Sequence, residues 1–211
     1  MTKFGLICPP GVGHLNNFMA LGYELQKRGH QATLFGISDV ESYATAAKIN
    51  FCPIGKDKFP LGSNKRSQER LGKLSGIPAL FYTIDLFRTG TEMLLESAPQ
   101  ACKRSGIEVL LIDQVLLEGS TIAEYLNLPF VTVCSAILLN PEQTVPPTLT
   151  SWNYDPFWWG QLRNQIGSSL LELAGTPIKL IVNQYRQKWR LGTLKVDNFV
   201  MVVFGEQLEL S

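Results

Sequence analysis

Short apolar runs, each ended by a turn or followed by a helix, constrain this chain more than any other feature. Lys3–Cys8 is apolar on both faces and stops abruptly at Pro9, Pro10, Gly11 and Gly13. Gln31–Phe35, Phe51–Ile54, Val109–Asp113 and Phe130–Cys134 repeat the pattern. Between them lie segments of helical periodicity: Leu15, Phe18, Met19, Gly22 and Leu25, closed by Gly29, then Val40–Lys48 with Ser38 or Asp39 as cap, about 77–104, and Glu118–Leu126. Strands without a polar face need cover on both sides, and alternation with helices supplies it. The pattern predicts an α/β fold, a Rossmann-like parallel sheet with helices on both faces. Ligand sites in such sheets lie beyond the carboxyl ends of the strands. Two loops at that edge stand out, Pro9–His14 and Asp113–Leu116.

The stretch 55–75 is rich in Lys, Arg, Gly and Ser and reads as a mobile surface loop. Past Ala136 the pattern changes. Pro141, Pro146, Pro147 and Pro156 interrupt regular structure, and Trp152, Tyr154, Phe157, Trp158 and Trp159 cluster. A helical segment follows from about 161 to 189, weakened near Gly175–Pro177.

Composition removes several classes of function. With 19 Lys+Arg against 18 Asp+Glu, no basic face is available for a phosphate backbone, so nucleic acid is not an expected partner. Cys8, Cys52, Cys102 and Cys134 form no CxxC pair and read as buried thiols of a reducing compartment. The opening residues are too short an apolar run for a signal peptide, and no apolar stretch approaches membrane-span length; a cytoplasmic location is expected.

Gly11-Val12-Gly13-His14-Leu15-Asn16 supplies two glycines of a dinucleotide fingerprint, but Asn16 replaces the third. No acid closes the second strand, which argues against a nicotinamide enzyme. His14 is more informative. It opens a helix at the ligand edge, where it serves either as a general base or merely as a cap. Asp113, closing another apolar strand at that edge, favours the first role. A carboxylate on one imidazole nitrogen fixes the tautomer and stabilises the imidazolium formed when the other nitrogen takes a proton. His30, between a helix-ending glycine and a strand, reads as structural.

PPGVGHLNNFMALGYELQKRGHQATLFG (Pro9–Gly36) and VLLIDQVLLEGSTIAEYLNLPFVTVCSA (Val109–Ala136) resemble two separated regions of the UDP-dependent glycosyltransferases, the two-domain GT-B family acting on small lipophilic acceptors. Pro146–Gly160 looks most like the bacterial carotenoid and macrolide branch. The resemblance implies that residues 1–190 form the acceptor-binding N-terminal domain. His14 would be the catalytic base and Asp113 its partner, transferring a hexosyl group from a UDP-sugar to an acceptor hydroxyl with inversion. Neither metal nor cofactor is implied. Gly11 and Gly13 would let the backbone approach the substrates. Trp152, Tyr154, Phe157 and Trp158 would line the acceptor pocket, or else anchor an irregular segment; the same patch could touch a membrane surface, though no basic amphipathic helix accompanies it.

The family's UDP-sugar-binding C-terminal domain has no counterpart here, and residues 191–211 read as an atypical tail replacing it after a frameshift or early stop. On that reading the chain alone is weak or inactive. The alternative is a non-catalytic acceptor- or partner-binding module.

Overall fold

The computed structural model describes residues 1–135, 142–147 and 150–193. Five strands form one parallel sheet: β1 (Lys3–Ile7), β2 (Gln31–Gly36), β3 (Asn50–Pro53), β4 (Val109–Asp113) and β5 (Phe130–Val133), in the order β3-β2-β1-β4-β5. The helices are α1 (Val12–Lys27), α2 (Glu41–Ala46), α3 (Ser63–Leu71), α4 (Gly76–Ser105), α5 (Glu118–Leu126), α6 (Trp158–Ala174) and α7 (Thr176–Lys188). The sequence expectation of a parallel α/β sheet therefore holds.

The core forms where apolar strand faces meet apolar helix stripes. Leu6, Leu34, Phe35 and Leu110 from the sheet are wholly buried with Phe18 and Leu15 of α1, and Leu95 and Ala98 of α4 join them. Burying each large side chain contributes about 1.5–3 kcal/mol. Gly22 permits the close approach of α1, since a Cβ there would stand 2.9 Å from Leu6 Cδ1. On the far side Arg186 of α7 is buried, donating to Thr121 Oγ1 at 3.0 Å and Glu124 Oε2 at 2.7 Å, which ties α7 to α5. The expected weak point near Gly175–Pro177 is a break between α6 and α7.

Three expectations need correction. Within 55–75, residues Ser63–Leu71 form a helix. It has no buried residue, so no apolar periodicity marks it; it is held from outside instead. Asp39 Oδ1 accepts the Gly62 N–H at 2.6 Å and Oδ2 that of Asn64 at 2.7 Å, satisfying donors that the start of a helix leaves open. Asp39 therefore does not cap the second helix: Ser38–Val40 is a 3₁₀ turn, α2 begins at Glu41, and neither has a side-chain cap. Of the four cysteines only Cys102 is buried; Cys8 and Cys52 are half-buried and Cys134 is exposed. Ala136, Pro141 and nearly all of the 191–211 tail lie outside the described residues. Among the described residues, no helix is long and apolar enough to cross a membrane.

The double bond from Asp39 carries a testable consequence. Asp39→Ala should lower stability by about 1–2 kcal/mol, the scale of a lost N-cap. Hydrogen exchange should speed up across residues 63–71 while the β1 and β4 amides stay protected.

Candidate active site

Beyond Ile7 the chain leaves β1 to cross toward β2, whereas β4 connects onward to β5 on the other side. The carboxyl ends of β1 and β4, adjacent in the sheet, therefore flank the point where strand order reverses, and a crevice opens there. Ile7 is registered with Ile112, so the next residues, Cys8 and Asp113, leave the sheet at the same level. Pro9 and Pro10 end β1, and Gly11 caps α1, bringing His14 into the first turn above Asp113.

The two side chains meet. His14 Nδ1 lies 2.7 Å from Asp113 Oδ2. Asp113 is wholly buried, and its Oδ1 accepts the Val115 N–H at 3.2 Å, so the carboxylate is held from both ends. An ionised carboxylate only accepts, which places the hydrogen on His14 Nδ1 and leaves Nε2 to take a proton. The His14 side chain is 26% exposed, so the imidazole can be reached from outside. Burial, with the Asp113 charge adding to it, pushes the neighbouring Cys8 thiol far up, so it stays protonated and is no nucleophile.

The two glycines have different uses. Gly11 has φ −79° and ψ 137°, open to any residue, but a Cβ there would come within 3.3 Å of His14 Cδ2. Its role is to clear the imidazole ring. A Cβ on Gly13 would meet nothing within 4 Å, so no protein contact demands glycine and the space is left open. His30 is structural, as expected: its Nδ1 accepts the Thr2 N–H at 3.2 Å and its ring meets Phe4 edge-on.

Residues flanking this pair in the chain line a cavity of about 220 Å³, although neither His14 nor Asp113 lines it. Cys8, Pro9 and Pro10, leading into α1, form one wall, and Leu116 and Glu118, following Asp113, another. Apolar side chains from β2, α2's approach and α4 complete it, including Phe35, Val40 and Leu94. Gly90 also lines it, in the middle of α4, and a Cβ there would meet nothing within 4 Å. Asn64 of α3 lines it too, donating to Pro10 O at 3.2 Å and so bracing the loop below His14.

Sequence reasoning missed this cavity and its one buried carboxyl. Glu118 is 2% exposed, and its Oε2 accepts from Thr91 Oγ1 at 3.1 Å. Burial, only partly offset by its backbone N–H and Thr91, pushes the carboxyl up to about 7. A charged residue inside the apolar context Leu116–Ile122 was the available signal.

Trp152, Tyr154, Phe157 and Trp158 lie elsewhere, at or before the start of α6, and none lines the cavity. All four are exposed, with Trp158 at 69%. Trp152 packs over Gly167 and under the Arg163 guanidinium, 5.0 Å from its ring centre, while Phe157 stacks on Trp159. Among the described residues, no group of three or more His, Cys, Asp or Glu side chains is arranged to hold a metal ion.

A parallel α/β sheet of this kind is shared with solved glycosyltransferases of GT-B type. In solved structures the fold matches the glycosyltransferase of kitacinnamycin, with TM-score 0.63 and 15% identity over 94% of this chain and 43% of that one. It also matches a Streptomyces glycosyltransferase complexed with thymidine diphosphate, with TM-score 0.56, 12% identity and 92% and 47% coverage. By sequence the chain is similar to zeaxanthin glucosyltransferases. One from Pantoea ananas is 30% identical over 154 residues, 73% of this chain and 36% of the relative. One from Pseudescherichia vulneris is 26% identical over 193 residues, 90% and 45%. The chain thus spans under half the length of these relatives. No protein-family model matches it. The resemblance read from Pro9–Gly36 and Val109–Ala136 holds: this is a glycosyltransferase-like chain with an α/β fold of GT-B type.

Glu118 makes stability depend on pH. Its folded carboxyl titrates near 7, against about 4.5 when unfolded, so the folded state binds more protons between those values. Stability from this group is therefore lost as pH rises from about 4.5 to 7. Glu118→Gln should raise the melting temperature more at pH 8 than at pH 5, a differential gain on the order of 2 kcal/mol. Thermal unfolding of both proteins at the two pH values checks it.

Proposed function

We propose that this chain is the acceptor-side half of an inverting glycosyltransferase. It would move a hexosyl group from a UDP-sugar to a hydroxyl of a small lipophilic acceptor. The observation that supports the reading most is the 2.7 Å bond between His14 Nδ1 and buried Asp113. In the reaction the acceptor O–H donates to His14 Nε2. As the oxygen attacks the anomeric carbon, Nε2 takes its proton, and Asp113 stabilises the imidazolium that forms. The nucleoside diphosphate leaves from the opposite face, which inverts the centre. No redox cofactor or metal is needed for these steps.

The adjoining apolar cavity receives the body of the acceptor. The names of the relatives, zeaxanthin glucosyltransferases, favour an isoprenoid acceptor, and the thymidine diphosphate complex of a structural neighbour leaves TDP-sugars as an alternative donor. The exposed rings of Trp152, Tyr154, Phe157 and Trp158 offer a second apolar surface for a lipophilic acceptor, or weakly for the membrane that carries it. The match covers 36% and 45% of these relatives, and donor binding would fall to residues outside that region. Acceptor binding alone does not make transfer fast, because positioning both substrates supplies much of the rate.

A non-catalytic acceptor-binding module is the second reading, favoured by a cavity that neither His14 nor Asp113 lines. Fusing the chain to the donor half of the Pantoea relative separates the two. In that fusion His14→Ala should cut transfer of glucose to zeaxanthin by about 10²–10⁴-fold, the usual worth of a general base, with acceptor affinity unchanged within about two-fold. Acceptor binding with no His14-dependent transfer would favour the module.

A second change tests the cavity. Gly90→Leu fills open space, so acceptor binding measured by equilibrium dialysis should fall at least ten-fold. The same change should stabilise α4 by about 0.5–1 kcal/mol, since glycine is costly inside a helix.

A further inference from the structure

The cavity under the loop that leads to His14 is mostly apolar, and two buried hydrogen-bonding groups at its wall bond to each other. Glu118 and Thr91 each are 2% exposed, and both line the cavity. Thr91 Oγ1 donates to Glu118 Oε2 at 3.1 Å, across 27 residues of sequence and between α4 and α5. Its own backbone N–H also favours the charged carboxylate, and among the described residues no Lys, Arg or His contributes. As a cap for α5, a carboxyl would work better exposed, where the charge costs nothing. The other polar side chain with assigned bonds in this cavity, Asn64, is already committed to Pro10 O. Ser67 also lines the cavity but, like Asn64, is only half-buried, so Glu118 and Thr91 form its buried polar spot.

We propose that Glu118, oriented by Thr91, is a specificity-determining residue that reads a neutral hydroxyl on the acceptor portion held inside the cavity. The inference rests on the cavity being the acceptor site. An apolar acceptor body that fills the space expels water and leaves the Glu118 carboxyl with Thr91 and its own N–H alone. An acceptor hydroxyl at that point satisfies it in either protonation state, donating to the carboxylate or accepting from the carboxylic acid. An ammonium group would be a poorer fit, because it demands full ionisation of a buried carboxyl in an apolar wall. A site built to bond a hydroxyl rejects the analogue that lacks it more strongly than a greasy pocket rejects a missing methylene. Glu118 thus selects acceptors carrying a second hydroxyl, besides the one presented to His14.

The test uses the full chain and three small probes that share a propylphenyl body: 4-propylphenol, propylbenzene and 4-propylbenzylamine. Binding is measured at pH 7 by equilibrium dialysis. The expected result is at least a ten-fold preference of the wild type for 4-propylphenol over propylbenzene, with the amine weaker than the phenol. Glu118→Met, an apolar replacement of similar length, should reduce that preference to about one-fold while keeping propylbenzene binding. Glu118→Gln, which keeps a hydrogen-bonding head, should retain most of it, and this variant guards against a Met-specific packing fault. Equal binding of phenol and propylbenzene in the wild type, an unchanged preference in Glu118→Met, or tighter binding of the amine each overturns the role of Glu118 and leaves the acceptor cavity standing. If no probe binds, or binding survives Gly90→Leu, the cavity is not the acceptor site and the inference falls with that reading.

Discussion

Parallel pairing of β1 with β4 is the interaction on which the site depends. Phe4 to Ile7 sit beside Val109 to Ile112, and the strand order reverses on either side of that pair. Chain leaving β1 must turn at once into α1, and chain leaving β4 must turn into α5. Both turns occur at one edge, so a histidine from the first and an aspartate from the second come to hydrogen-bond distance. The strong apolar character of both strands makes this pairing the least negotiable part of the fold. Leu6 and Leu110 have no exposure at all.

The cavity is a consequence of what surrounds that centre. Helix α4 runs for 30 residues across the opening, and Gly90 leaves a gap in its face. Helix α3 closes part of the wall although it has no core of its own, because Asp39 holds its start and Asn64 ties it to Pro10. Local polar bonds thus shape an apolar container. The His14–Asp113 pair and the container share a wall through Cys8 to Pro10.

Much of this was legible in the sequence, and for a physical reason. Buried parallel strands announce themselves as unbroken apolar runs, and Val109–Asp113 and Glu118–Leu126 fall where the pattern puts them. The pairing of His14 with Asp113 followed from two strand ends sharing an edge. Helix α3 was missed because its stability comes from a residue 23 to 25 positions away, which no local periodicity records. Glu118 was missed because what sets it apart is burial against Thr91, a property of α4 packing on α5. The aromatic residues 152–158 were noticed as a cluster, yet clustering along the chain did not place them at the cavity.

The histidine and its aspartate are 99 residues apart, and the bond between them is 2.7 Å long. A slip of β4 against β1 by a single residue would shift Asp113 by about 3.3 Å and turn its side chain to the opposite face of the sheet. The bond therefore works as a vernier on the central register: it closes at one alignment of the two strands and at no other. In a chain this long, a single side-chain bond and the correctness of the fold are read on the same scale.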